Sequence, residues 1–425
     1  MKKKEIFKIL CYWGILLAVF SCSGKKSEPV QETADEDSLI SIEDTVVNYA
    51  TIAAVGDVMV HRWQMQRAYN AADSSFDFTS SFKYVKPIIE DADFAIGNLE
   101  TTFAGKNQGR TNAVYGYSCF PYFNAPEAMA VALKHTGFDL FSTANNHSLD
   151  TKISGLRHTL DILDSIGLYH VGTYRNLQES DSSCIIPING IKVGFMGCTN
   201  SLNGNTLKSA DTFSIDEFRK QDSAKVAILC KKIKKLKEDG ADAVIAIVHF
   251  GEEYQRKPNR RQKQTVKAFA EAGADVILGS HPHILQNLEW GTHTQEGKEK
   301  NVLVAYSMGN FISSQIQRDS ILKDVGAILK FRIKKSREGI AIDQLSVMPT
   351  YSYWNSHEIG VVPLIKAYHD LKSYPCLTQR GRRDIKNSKQ QTIDVLTSTL
   401  KNQYEIDTVS GFINFLLEQP QHLAP

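Results

Sequence analysis

Apolar residues in this chain gather in short β-branched runs, and each run stops at a small polar cluster. "TIAAVGDVMVH" leads to Asp57, "DADFAIGNLE" to Asn98 and Glu100, and "FDLFSTANNHSLD" to Asn145, Asn146 and His147. Further on, "IKVGFMGCTN" leads to Thr199 and Asn200, and "ADAVIAIVHFGEEY" to His249 and Glu253. "ADVILGSHPH" leads to His281 and His283, and "NVLVAYSMGN" to Asn310. Continuous apolar runs of this length predict strands buried on both faces.

Helical spacing separates several of these runs. It predicts helices over Ala125 to Gly137, Ser154 to Gly167, about Ser214 to Gly240, and Asn259 to Gly273. Three helices end in Gly and are followed one or two residues later by Asp139, Asp242 and Asp275. Strand and helix in alternation predict a layered α/β fold, in which ligands sit at the carboxyl ends of strands. Seven clusters rich in Asp, Asn and His at that edge point to a site rather than to chance turns.

Beyond Gln315 the pattern weakens. "GAILKFRIKK" and "IAIDQLSVMPTYS" read as a hairpin on the sheet edge. "KNSKQQTIDVLTSTLKNQ" and "DTVSGFINFLLEQP" read as terminal helices. No internal repeat of fixed period is present.

The first residues differ from everything that follows. A basic start and an apolar stretch from about Ile9 to Phe20 are too short for a spanning helix and read as a secretory signal. "VFSC" places Ser21 before Cys22 in the manner of a bacterial lipobox, which predicts lipid attachment at Cys22. Residues 1–21 are thus expected to be a lipoprotein signal peptide and residues 22–48 a polar, flexible tether. A folded body over 49–315 and a C-terminal segment over 316–425 complete the division. The expected product is exported and anchored to the cell envelope. Four lysines and one acid lie before Cys22, so the remaining chain is near neutral and offers no sign of a nucleic-acid partner. Of the later cysteines none has CxxC spacing, and sequence cannot pair them.

The clusters supply a ligand inventory. His147, His249, His281 and His283 carry imidazoles, Asp57 and Glu100 carboxylates, and Asn98 and Asn146 amide oxygens. Such a mixture suits Mn, Zn or Fe better than Ca or Mg, and supports metal-dependent hydrolysis. Asn98 and Glu100 alternate along an extended chain, so they share a face. His281 and His283 do the same if the chain stays extended, with Pro282 fixing φ between them and Gly279 providing the turn. His61, Asn145 and Asn310 are further candidates for the site. A serine or cysteine hydrolase is the weaker alternative, because neither Ser280 nor Cys198 has a GxSxG context.

In order, "GDVM", "GNLE", "ANNHSLD", "HFGEEY", "GSHPHILQ" and "YSMGNF" resemble the CapA family of capsule and poly-γ-glutamate biosynthesis proteins, within the calcineurin-like metallophosphatase superfamily. The resemblance spans roughly Thr51 to Gln315. It implies a four-layer α/β/β/α metallophosphatase-like sandwich, here with a C-terminal β and helical extension. It also implies Asp57, Asn146, His249, His281 and His283 as metal ligands, and His147 as ligand or general acid. Met59 stands where the superfamily has a histidine, and Asn98 or Glu100 must replace its bridging aspartate. Those departures point to one tight metal site or to a different scissile bond. His147 or Glu253 is then the proton-transfer group. The implied partners are an anionic cell-surface polymer or a phosphoester, and a membrane synthase complex. A non-enzymatic partner that binds polymer or synthase during export is the alternative.

Overall fold

The computed structural model describes residues 47–110, 113–219, 222–295, 297–315, 322–400 and 403–417. The expected signal peptide, Cys22 and nearly all of the tether lie outside these residues.

Strands are numbered in chain order. The larger sheet has ten strands. Its main path runs β17 (Tyr404–Ile406), β18 (Ile413–Phe415), β15 (Gly339–Trp354), β14 (Val325–Ser336), β1 (Asn48–Val58), β4 (Phe94–Leu99), β5 (Leu140–Ser142), β6 (Tyr169–Val171). Off this path, β13 (Asn310–Ile312) pairs with β1 and β16 (Ile359–Pro363) with β15. The second sheet has six strands, in the order β11 (Leu288–Gln295), β12 (Lys298–Ala305), β10 (Val276–Ser280), β9 (Ala243–His249), β8 (Ile191–Thr199), β7 (Cys184–Ile188). A small hairpin, β2 (Tyr69–Asn70) and β3 (Ser75–Phe76), stands apart.

Side-chain alternation sorts each central strand into two cores. Ala50, Ile52 and Ala54 of β1 pack in one cluster with Ile245 and Ile247 of β9 and Val276 and Leu278 of β10, so the two sheets face each other. Ala53 and Val55 point the other way, into a cluster with Met129 and Leu133 of the helix Ala128–Thr136. Val244, Ala246 and Val248 of β9 meet Ile233 and Phe269 from the helices Ser223–Glu238 and Arg260–Ala272. The result is helix, sheet, sheet, helix: four layers. That is why the runs are apolar throughout rather than alternating.

Asp139, Asp242 and Asp275 have a structural task shared with Asp93. Each carboxylate accepts a backbone N–H at the start of the neighbouring strand: Asp93 from Thr51 (2.7 Å), Asp139 from Ala95 (2.9 Å), Asp242 from Lys192 (2.8 Å) and Asp275 from Val244 (2.8 Å). The strand starts are thereby fixed in register in both sheets, away from the polar clusters at the other ends.

The structure corrects four expectations. The helix expected from Ser214 begins only at Ser223, where Asp222 accepts the Lys225 N–H (3.0 Å). Ile215 and Glu217 are instead bridged to Thr173 and Thr199, so this stretch is held as an extended flap on the strands. The helix expected from Lys386 starts at Gln379, capped by Thr378. Over its described residues, 407–417, "DTVSGFINFLLEQP" is not a helix: Ile413 and Phe415 are buried on one side of a strand that pairs with Leu345–Val347. The β14–β15 hairpin is not at the edge, since β14 lies between β1 and β15. The five cysteines of the described residues are free thiols. Among the described residues no helix is long and apolar enough to cross a membrane.

Candidate metal centre

Strand pairing brings the polar clusters together. Asp57 lies opposite Asn98 on the parallel partner β4, and opposite Asn310 on β13. In the second sheet Thr199, His249 and Ser280 stand abreast at the ends of β8, β9 and β10. The segment Tyr306–Gly309 then crosses from β12 in one sheet to β13 in the other. It passes so close that a Cβ on Gly279 would meet the Tyr306 carbonyl oxygen at 2.0 Å, and one on Gly56 the Gly309 oxygen at 1.9 Å. Both glycines are therefore required by close backbone approach. Gly279 is not the turn expected from sequence; it is paired within β10.

The turn falls instead on the histidines. His281 has φ 96° and His283 φ 57°, both left-handed, where an extended pair was expected. A left-handed φ is unusual for a residue with a Cβ and costs on the order of 1–3 kcal/mol. Coiling lets the chain double back beneath the site. His283 Nδ1 reaches Asp57 Oδ2 and Asn310 Oδ1, both at 3.1 Å, while His281 Nδ1 reaches His249 Nε2 at 3.1 Å. The Pro282 carbonyl accepts the Tyr254 N–H (2.9 Å), which fixes the bend from outside.

Glu100 is at the centre. Its carboxylate is fully buried, with His249 Nε2 at 3.5 Å, His283 Nε2 at 3.7 Å and His147 Nε2 at 4.0 Å. Neither of its oxygens has a hydrogen-bond partner. A buried unpaired carboxylate is costly unless a cation neutralises it. Burial, then the charge of Asp57, push its carboxyl well above the usual range. Burial, then the neighbouring imidazoles, hold His249 well below its usual value. Burial also opposes charge on His283, but the hydrogen bond and charge of Asp57 outweigh it and the net shift is upward.

These residues fit a divalent cation. Glu100, His249 and His281 each offer a ligand atom, all within 4.8 Å of one another. Asp57, Glu100 and His283 form a second such group, and Glu253, His281 and His283 a third. Glu253 is exposed, so this third group opens to solvent. Asn146 directs Oδ1 at His249 Nε2 (2.9 Å), an oxygen well placed to join the donors.

Other candidates have supporting positions. Asn98 turns its amide nitrogen to Asp57 Oδ1 (2.8 Å) and its oxygen to Asn145 Nδ2 (3.3 Å), so it clamps Asp57. Asn145 Oδ1 accepts the His147 N–H (3.1 Å) and its Nδ2 donates to the Leu99 carbonyl (2.7 Å), which shapes the turn carrying His147. Asn310 donates to the Lys323 carbonyl (2.8 Å) while its oxygen orients His283. His61 packs edge-on against Phe123 and accepts the Ser314 N–H (3.4 Å). Burial lowers its pKa to about 4.

Two supporting residues had no assigned role in the sequence reading. Asp150 Oδ2 lies 2.7 Å from His147 Nδ1 and also accepts the Phe123 N–H (2.6 Å). The i, i+3 spacing after His147 was the available signal. Ser280, considered above only as a nucleophile, is fully buried with Oγ 2.9 Å from His249 Nδ1. It orients that ring, leaving Nε2 for the centre.

A family model described as "Bacterial capsule synthesis protein PGA_cap" matches residues 51–315. "Capsule biosynthesis protein CapA" of Bacillus anthracis is 29% identical over 365 residues, covering 84% of this chain and 79% of that protein. "PGA biosynthesis protein CapA" of Bacillus subtilis (strain 168) is 27% identical over 342 residues, covering 79% and 78%. A crystal structure of a hypothetical protein from Thermus thermophilus aligns at a TM-score of 0.37 and 14% identity, over 74% of this chain and 97% of that one, a likeness too loose to bear weight.

Proposed function

Since the chain belongs to the bacterial capsule synthesis protein family PGA_cap, we propose that it is a metal-dependent hydrolase acting in the synthesis or export of a capsule or poly-γ-glutamate-type polymer. It works at the cell envelope, tethered through Cys22 beside a membrane synthase. The observation that carries the catalytic part is the buried Glu100 carboxylate with both oxygens unpaired, ringed by three imidazoles. The printed names of the two Bacillus relatives support the polymer part.

Asp57, Glu100, His249, His281 and His283, with the Asn146 oxygen, would hold Mn, Zn or Fe. Such an ion supplies Lewis acidity that polarises the scissile bond and offsets charge developing on it. His147 is the proton carrier: Asp150 holds its Nδ1, and its Nε2 faces the centre. Glu253, exposed beside His281 and His283, is positioned to exchange protons at the open side.

The test is turnover of γ-linked polyglutamate and of a phosphoester panel by purified protein loaded with Mn or Zn, with elemental analysis of the same sample. Turnover that disappears in Asp57→Asn and His283→Ala supports the proposal. Stoichiometric metal without turnover, but with polymer binding, would replace it with the export-partner reading.

A further inference from the structure

A cavity of about 360 Å³ lies on the outer side of the second sheet, next to the ends of β8 and β9. It shares a wall with the metal centre: the Asn200 N–H on its wall donates to the His249 carbonyl (3.0 Å), and Phe250, Gly251 and Glu252 continue from His249 along it. Its floor includes Phe218, Val226 and Phe250, and its rim carries Arg219 and Arg261, both exposed. Neither guanidinium has a carboxylate within ion-pair distance among the described residues. The first turns of the helices Ser223–Glu238 and Arg260–Ala272 also line the cavity and add positive potential. Two acids also line the wall: Asp222 caps its own helix through the Lys225 N–H, and Glu252 has an interaction of its own.

Two chemistries thus meet in one place. Two guanidiniums ask for carboxylates, and an apolar floor asks for methylenes. We propose that this cavity is a subsite holding a neighbouring segment of an acidic peptide-like polymer, with carboxylates on short methylene stems, while another residue of the same chain lies at the metal centre. This rests on the polymer reading above and extends it. A free phosphate would use the arginines but leave the floor unserved.

The experiment is equilibrium binding of γ-linked octaglutamate to the full chain, with free glutamate and inorganic phosphate as competitors. A fluorophore on Gln264→Cys, at the exposed lip, reports occupancy of the cavity itself. The double variant Arg219→Ala, Arg261→Ala is expected to raise Kd at least tenfold, and to lower the salt dependence of binding. Arg261→Lys is expected to fall between it and the parent. Equal affinity of parent and double variant, or a silent fluorophore during saturating binding, overturns the subsite while leaving the polymer reading intact. Phosphate displacing the octamer at equal concentration also overturns it. No binding of the octamer by the parent overturns the polymer reading and the subsite with it.

Discussion

The Glu100 carboxylate stands 3.5 Å from His249 Nε2 inside the protein, yet neither of its oxygens is hydrogen-bonded. Without a cation, such a group is best kept protonated, and burial together with Asp57 raises its pKa accordingly. The folded protein then binds a proton that the unfolded chain has already released. Stability is full below the unfolded carboxylate pKa and falls as pH rises through the raised folded value. Glu100→Gln removes this loss. In EDTA the variant should be more stable than the parent, with the advantage growing from pH 5 to pH 8. With Mn or Zn the order should reverse, because the variant loses a ligand. Thermal melts in both conditions check this; a variant less stable in EDTA as well would show that Glu100 has no need of a cation.

Asp150 acts on the site through His147 Nδ1, 2.7 Å away. Carboxylates behind a working imidazole fix its tautomer and orientation, and their loss typically lowers metal affinity or activity by about 10–100-fold. Asp150→Asn preserves an acceptor for the Phe123 N–H. We expect kcat to fall within that range with KM little changed, and the melting temperature to move by a few degrees at most. A large loss of stability with normal kcat in the surviving folded fraction would make Asp150 a purely structural residue.

Gly279→Ala tests the crossing segment that joins the two sheets. Its Cβ would meet the Tyr306 carbonyl oxygen at 2.0 Å, and that neighbour is backbone rather than a flexible side chain. Overpacking of this kind costs roughly 1–3 kcal/mol or more. Since the displaced segment leads directly into Asn310, which holds His283, metal affinity should fall together with stability. Chemical denaturation and metal titration of the same preparation measure both. Unchanged affinity in a destabilised protein would separate the crossing from the centre.

The strand ends were legible because strands buried on both faces are continuous apolar runs, and their polar stops are abrupt. Asp57, His249 and His283 could therefore be grouped before any contact was known. What could not be read was the path of the chain between the stops. The left-handed φ at His281 and His283 serves contacts with Asp57 and His249, residues distant in sequence, and no local propensity signals it. Asn98 illustrates the same limit: its position is evident, but only the contacts with Asp57 and Asn145 show which end of its amide faces the centre. The last strands failed for a different reason. Ile413 and Phe415 form too short an alternation to be told from a helical turn until Leu345 and Val347 are seen beside them.

Asp324, which is not among the metal-ligand candidates, gives a pH-dependent test of its own. It is buried near Trp63, Trp354 and Arg380, and burial, aided by the charge of Asp384 and opposed by its own backbone N–H and by Arg380, raises its pKa to about 7. Between the usual carboxylate value and 7 the folded state holds a proton that the unfolded state lacks, so rising pH costs stability across this window. Above pH 7 the parent carries a buried charge, and a shift of this size sets an upper limit of about 4 kcal/mol on that cost. Asp324→Asn removes the charge and keeps the shape. The variant and parent should melt alike near pH 4, and the variant should melt higher by pH 8, with most of the difference developing between pH 5 and 7. Melting curves at four pH values in that range measure it. A difference that is constant with pH would mean that Asp324 is charged throughout and is stabilised by its neighbours rather than strained by burial.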